Sequence, residues 1–260
     1  MGNGDTSRSV RFIPPVLLIG FLVLSTFFAC SKKIHLASVG SDQYPITEKV
    51  RSDSLMNAMI APYRDSLVKE MNEVIGYASA ELALGQPESP LGNLLADMLF
   101  MEVQHRYPYK LDFALLNVKG IRQPQLPQGN ITKGYFFELI PFDNQAVVLA
   151  LDSLGIMQLV THIYMAGGWP VSNQIYIHGT SSGPEAILFD GKALTGNRTY
   201  AVAMPDYVAN GGDGCHFLRS YPQWHSGKFM RDLFISHTQN LTSQGLQLIA
   251  RVDGRFKKTP

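Results

Sequence analysis

The stretch Asp112-Phe113-Ala114-Leu115-Leu116-Asn117-Val118-Lys119-Gly120-Ile121-Arg122 decides the reading of this chain. Its first half is a short apolar run with the look of a buried strand, and its second half puts Asn117, Lys119 and Arg122 into one loop. Open sheets place ligand groups where strands end. An arginine offers a planar donor fork that suits phosphate, and an asparagine offers both a donor and an acceptor to a sugar or a base edge. By itself the stretch reads rather as a solvated loop with charges at its tip.

The surroundings supply a body for that strand. Ala146 to Leu151 is a second apolar run. Gln174 to His178, Ala186 to Asp190 and Tyr200 to Met204 are three more, separated by Gly/Asn/Asp turns. Pro90 to His105 carries Leu91, Leu94, Leu95, Met98, Leu99 and Val103 at helical spacing, with Ser89 as N-cap and Pro90 at the first helical position. Ser153 to Tyr164 and Lys228 to Asn240 read as further helices, and Leu246 to Val252 as a terminal strand. Upstream, Val50, Leu55, Met56, Met59, Ile60, Tyr63, Leu67, Met71 and Ile75 recur at steps of three and four. This predicts one long amphipathic helix, kinked or split at Pro62 and ended by Gly76. Helices and strands interspersed in this way predict an α+β fold of mixed α/β layers.

Composition sets bounds on function. The 260 residues are 45% hydrophobic and 17% charged, enough for one large globular domain. Twenty-two Lys+Arg against 21 Asp+Glu leave a formal charge of +1, so nothing in the balance suggests a nucleic-acid surface. Two cysteines, Cys30 and Cys215, make neither a disulfide framework nor a zinc site. The first 29 residues read as an address. Arg8 and Arg11 precede an apolar run from Val16 to Ala29, about 14 residues long and short of the roughly 20 that span a bilayer. The run ends at Cys30, and the segment resembles a bacterial lipoprotein signal, which implies lipidation of Cys30 and a location in the periplasm or cell envelope. Residues 30–45 read as a polar tether and 46–260 as the folded domain.

Three further segments carry candidate chemistry. Leu91-Gly92-Asn93 opens a helix, where Gly92 allows close approach and Asn93 can tie the helix entrance to a neighbouring loop. In Phe137-Glu138-Leu139-Ile140-Pro141-Phe142-Asp143-Asn144, Pro141 holds the backbone extended, so Phe142 can stand as a platform for a planar ring or serve as ordinary core. Asn210-Gly211-Gly212-Asp213-Gly214 demands unusual backbone angles or close contact with a ligand. A rival motif, Gly179-Thr180-Ser181-Ser182-Gly183, fits the nucleophile pattern Gly-x-Ser-x-Gly, but β-like sequence follows where that pattern needs a helix, so a hairpin is expected.

In order and spacing these segments resemble the C-terminal, substrate-recognition domain of the 5'-nucleotidase and UDP-sugar hydrolase family over about Ile46 to Val252. The resemblance implies that Asn117 and Arg122 contact a nucleotide, the arginine through its phosphate, and that Phe142 stacks on the base, with Gly211, Gly212 and Asp213 shaping the site. It places the second aromatic just after the glycine turn, where this chain has Cys215, His216 and Phe217, so Phe217 is the candidate to close the sandwich. The arginine usual upstream of the leucine-glycine-asparagine motif is replaced by Pro87-Glu88-Ser89-Pro90, and Lys119 stands where glycine is usual, a possible point charge for phosphate. Family members carry catalysis on a separate dimetal metallophosphatase domain. Here the seven histidines are dispersed and no catalytic or metal-binding constellation is evident. The expectation is therefore a lipid-anchored recognition half of a phosphohydrolase, itself without a cofactor, completed by a separate metallophosphatase chain that holds the divalent metals. The alternative expectation is a lipoprotein that binds nucleosides or nucleotides without catalysis.

Overall fold

The apolar runs assemble around a central sheet in the computed structural model, which describes residue 40 and residues 43–47 and 50–259. The chain divides into two units, Met1–Asp53 and Ser54–Pro260, and the folded body is the second. The signal over 1–29, the lipidation site Cys30 and most of the 30–45 tether lie outside the described residues.

The elements run α1 (Ser54–Met71), β1 (Val74–Ala78), β2 (Leu82–Ala83), α2 (Pro90–Gln104), β3 (Phe113–Ala114), β4 (Gln125–Leu126), β5 (Gly129–Thr132), α3 (Lys133–Leu139) and β6 (Gln145–Leu151). They continue through α4 (Ser153–Met165), β7 (Ile175–Thr180), β8 (Gly183–Phe189), β9 (Lys192–Ala193), β10 (Tyr200–Pro205), α5 (Asp206–Ala209), β11 (Gln223–Phe229), α6 (Met230–Ser243) and β12 (Phe256–Lys258). The central sheet has the order β11-β6-β10-β3 and a second sheet the order β12-β7-β8-β9. Strand β10 runs antiparallel to β6, from Tyr200↔Leu151 to Pro205↔Ala146, and parallel to β3 through Val202↔Phe113 and Ala203↔Ala114.

Successive strand residues point to opposite faces, and the central sheet accordingly serves two cores. Ala114, Leu116, Ala146, Val148 and Ala203 pack with Leu91, Leu95, Met98 and Leu99 of α2 and with Leu233 and Phe234 of α6. The alternate set, Phe113, Leu115, Val147, Leu149, Val202 and Met204, packs with Ile156, Leu159, Val160 and Ile163 of α4, which also meet Ile175 and Ile177 of the second sheet. The result is a mixed α/β domain in layers, as the sequence predicts.

Helix α2 starts as expected. Ser89 Oγ accepts from the Gly92 amide at 3.2 Å with Pro90 in the first turn, a cap whose loss typically costs about 1 kcal/mol. Asn93 ties this entrance down by donating to Glu88 Oε1 at 2.7 Å and to the Arg251 carbonyl at 2.9 Å. The leucine-glycine-asparagine motif is thus a packing device. The Gly179–Gly183 stretch is the tip of the β7–β8 hairpin, with Thr180 paired to Gly183.

Two expectations change. Helix α1 ends at Met71 and buries none of its described side chains, while Ile75 and Gly76 belong to β1. Gly76 is a close approach between strand and helix, since a Cβ there would collide with the Thr238 methyl of α6. Residues Phe137 to Leu139 lie in α3, which Thr132 caps through its hydroxyl, and the next strand starts only at Gln145. Leu246 to Val252 is not a strand. Only Leu248 bridges to Ala78, and the terminal strand is β12. The physical reason is the network that follows. Buried Arg255 donates to Asp97 and Asp253, and Glu88 accepts from the Asp253 and Gly254 amides, which bends the backbone away from an extended path.

Candidate functional site

The topology brings separate loops to one edge of the central sheet. Because β3 and β10 are parallel, the residues after both emerge on the same side, and antiparallel β6 begins there. Asn117, Tyr207 and Phe142 therefore meet although they lie far apart in the chain. Together with Lys119, Gly120, Arg122, Asn144 and Asp213 they line a cavity of about 260 Å³.

Asp213 is its polar centre. Asn117, nearly buried, donates from Nδ2 to Asp213 Oδ2 at 2.7 Å. Lys119 Nζ stands 3.8 Å from Oδ1 with its side chain 83% exposed. The Tyr207 hydroxyl lies 3.4 Å from Oδ1 and accepts from the Asp213 amide at 3.3 Å. A one-turn 3-10 segment, Val118–Gly120, follows Asn117 and directs Lys119 outward. Gly120 leaves room for this side chain, since a Cβ there would lie 2.8 Å from Asn117 Oδ1 and force one of the two to shift.

Arg122 enters from the other side. Its amide donates to the Leu139 carbonyl at 2.9 Å, which pins this loop to the end of α3. Its guanidinium lies 5.8 Å from the centroid of the Phe142 ring. None of the ion pairs among the described residues involves Arg122, so its fork is available to an anion. The turn bearing Phe142 is held from behind by Arg231, which donates to Asp143 Oδ1 at 2.8 Å and lies over the Phe137 ring at 4.2 Å. Phe142 itself is 43% exposed, a surface ring and not core.

The glycine turn obeys the backbone demand read from its sequence. Gly211, Asp213 and Gly214 all have positive φ, 91°, 47° and 86°. Gly211 and Gly212 shape the cavity without lining it. A Cβ on Gly212 would run into the Tyr207 ring, and one on Gly211 would lie 2.5 Å from Arg219 Nε.

Phe217 does not close the site. It lies with Met157, Gln158, Thr161 and His162 around a separate surface depression. Cys215, directly after the turn, is fully buried in the second core, and burial with the nearby Asp213 charge pushes its thiol up to about 12. The other ring in the lining is Tyr207, which the motifs do not reveal. The available signal was its place just beyond β10, the strand adjacent to the one that delivers Asn117. Among the described residues no three His, Cys, Asp or Glu side chains gather in a group able to hold a metal ion.

Fold and site together define a mixed α/β domain with an aromatic and cationic cleft at one sheet edge. Residues 74–183 match the family model described as the 5'-nucleotidase C-terminal domain. A 5'-nucleotidase of Vibrio vulnificus is 23% identical over 197 residues, covering 71% of this chain and 34% of that protein. An apyrase of Aedes albopictus is 23% identical over 222 residues, covering 76% of this chain and 39% of its own length. Among solved structures, a 5'-nucleotidase precursor from Thermus thermophilus superposes with a TM-score of 0.67 at 23% identity, covering 79% of this chain and 43% of that one. The NAD nucleotidase of Haemophilus influenzae gives 0.61 at 14% identity, with 80% and 41% covered. The chain thus spans between a third and two fifths of the length of these curated relatives.

Proposed function

We propose that this chain is the substrate-recognition half of a 5'-nucleotidase-like phosphohydrolase, binding a nucleotide in the Phe142–Tyr207 cleft. The supporting observation is the meeting of one unpaired arginine, two exposed aromatic rings and the Asn117–Asp213 pair around a single cavity. In this reading a base stacks on Phe142 with Tyr207 opposite, and each stacked base is typically worth about 1–3 kcal/mol. Arg122 takes the phosphate through its donor fork, with Lys119 as a mobile point charge. Asp213 and Asn117 receive hydroxyl or amine donors of the ligand.

Hydrolysis belongs to a dimetal metallophosphatase acting with this chain. In this reading no chemical step is assigned to the residues of this chain. Cys30, lipidated, would tether the pair to the cell envelope.

The test is a phosphate-release assay with adenosine 5'-monophosphate and added divalent metal. The purified chain should match the blank, and adding a metallophosphatase chain from the same organism should produce turnover. Metal-dependent turnover that stays with this chain through repurification overturns the division of labour. Tight nucleotide binding that no metallophosphatase converts to turnover would instead favour a binding lipoprotein.

A further inference from the structure

We propose that His162, outside the cleft on α4, is a positioning residue that sets the ligand-facing geometry of Asp213; the ligand part of this inference rests on the reading above. His162 Nε2 lies 2.9 Å from the backbone carbonyl oxygen of Asp213. A carbonyl only accepts, so Nε2 carries the proton. The imidazole is flush against the next residue as well, since a Cβ on Gly214 would stand 3.1 Å from His162 Cε1. Behind it the ring is fixed edge-on by Trp169, with centroids 5.7 Å apart, and by Phe217 at 6.0 Å.

This contact falls on a residue that needs support. Asp213 has φ 47°, a left-handed conformation that a non-glycine residue adopts sparingly and keeps only where its surroundings impose it. Asn117, Lys119 and Tyr207 all converge on the Asp213 carboxylate. A rotation of this one peptide therefore moves three cleft contacts together. His162 does not line the cavity, so its influence on a ligand passes through Asp213. The same logic gives Phe217 a role at one remove, as part of the wall that holds the imidazole.

Two readouts test this, one of them independent of any ligand. The first is the NMR resonance of the Asn117 side-chain amide. It should sit apart from free amides in the wild type, move into the free range in His162→Phe, which keeps a ring without the donor, and return in His162→Gln, which restores an N–H. The second is calorimetric affinity for adenosine 5'-monophosphate. His162→Phe should lose about three- to tenfold, the range of one hydrogen bond, His162→Gln should recover most of it, and the loss should vanish in an Asp213→Ala background. Should His162→Phe fail to fold, His162→Leu supplies the donor-less comparison. An unmoved Asn117 resonance, or an equal affinity loss with and without Asp213, overturns the proposal. If the wild type binds no nucleotide while the resonance responds as stated, the ligand reading fails and the positioning role stands.

Discussion

Asn117 donates its side-chain amide to Asp213 at 2.7 Å across 96 positions of sequence, joining the loop after β3 to the turn after β10. The bond holds each polar group against the other within the protein itself, which lowers the cost of ordering them on association. Asn117→Ala and Asp213→Ala should each weaken nucleotide binding. The double variant should lose less than the sum, with a coupling of about 0.5–3 kcal/mol. Calorimetric titration of the four proteins measures it, and strict additivity would show that the two groups act separately.

Arg122 has no carboxylate partner among the described residues, so its removal leaves no buried charge behind. Arg122→Ala should weaken binding of adenosine 5'-monophosphate by on the order of 1.5–3 kcal/mol, the worth of a charge-assisted contact, and change adenosine binding little. Equal losses for the two ligands would mean that Arg122 supports its loop and not the phosphate.

The two exposed rings in the lining should act as a pair. Phe142→Ala and Tyr207→Ala are each expected to lower nucleoside affinity, with coupling of about 0.5 kcal/mol or more if both grip one base. Phe142→Tyr should keep most of the affinity because the ring face carries the contact. Gly212→Ala should mimic Tyr207→Ala, since the new methyl takes the place of the tyrosine ring. A loss from Phe217→Ala as large as that from Tyr207→Ala would contradict the assignment of the second ring.

Burial raises the Cys215 thiol from 9.0 to about 12. The native state thus favours the neutral thiol, and this contribution to stability is complete below pH 9 and lost as pH rises toward 12. Cys215→Ala should flatten that part of the stability profile. In the native protein at pH 8 the Cys215 peptide should escape alkylation by iodoacetamide, as followed by mass spectrometry, and react once the chain is unfolded. Rapid native labelling would place the thiol at the surface.

What the sequence makes legible, and what it does not, follows from the range of the interactions. The α2 start is local. Ser89, Pro90 and Gly92 are three positions apart at most, and cap and proline rules identify it. The two-sided strands β6 and β10 show as unbroken apolar runs because both faces are buried. Helix α1 misleads because its three- and four-residue period continues into Ile75, whose burial comes from packing in a strand. The 246–252 segment misleads because Arg255 and Glu88, not its own apolar residues, set its path. At the site, Asn117, Arg122, Phe142 and Asp213 are visible as motifs. Tyr207 is visible only once β3 and β10 are known to be parallel neighbours, a fact that no local pattern carries, and Cys215 is turned inward by the left-handed turn before it.

The most direct measurement is an NMR titration of the labelled chain with adenosine 5'-monophosphate, with adenosine and inorganic phosphate as separate comparisons. The nucleotide should shift resonances of Asn117, Arg122, Phe142, Tyr207 and Asp213 saturably and at lower concentration than either fragment. A folded spectrum in which these resonances stay unmoved at millimolar nucleotide, or in which shifts map elsewhere, would contradict nucleotide recognition at this cleft.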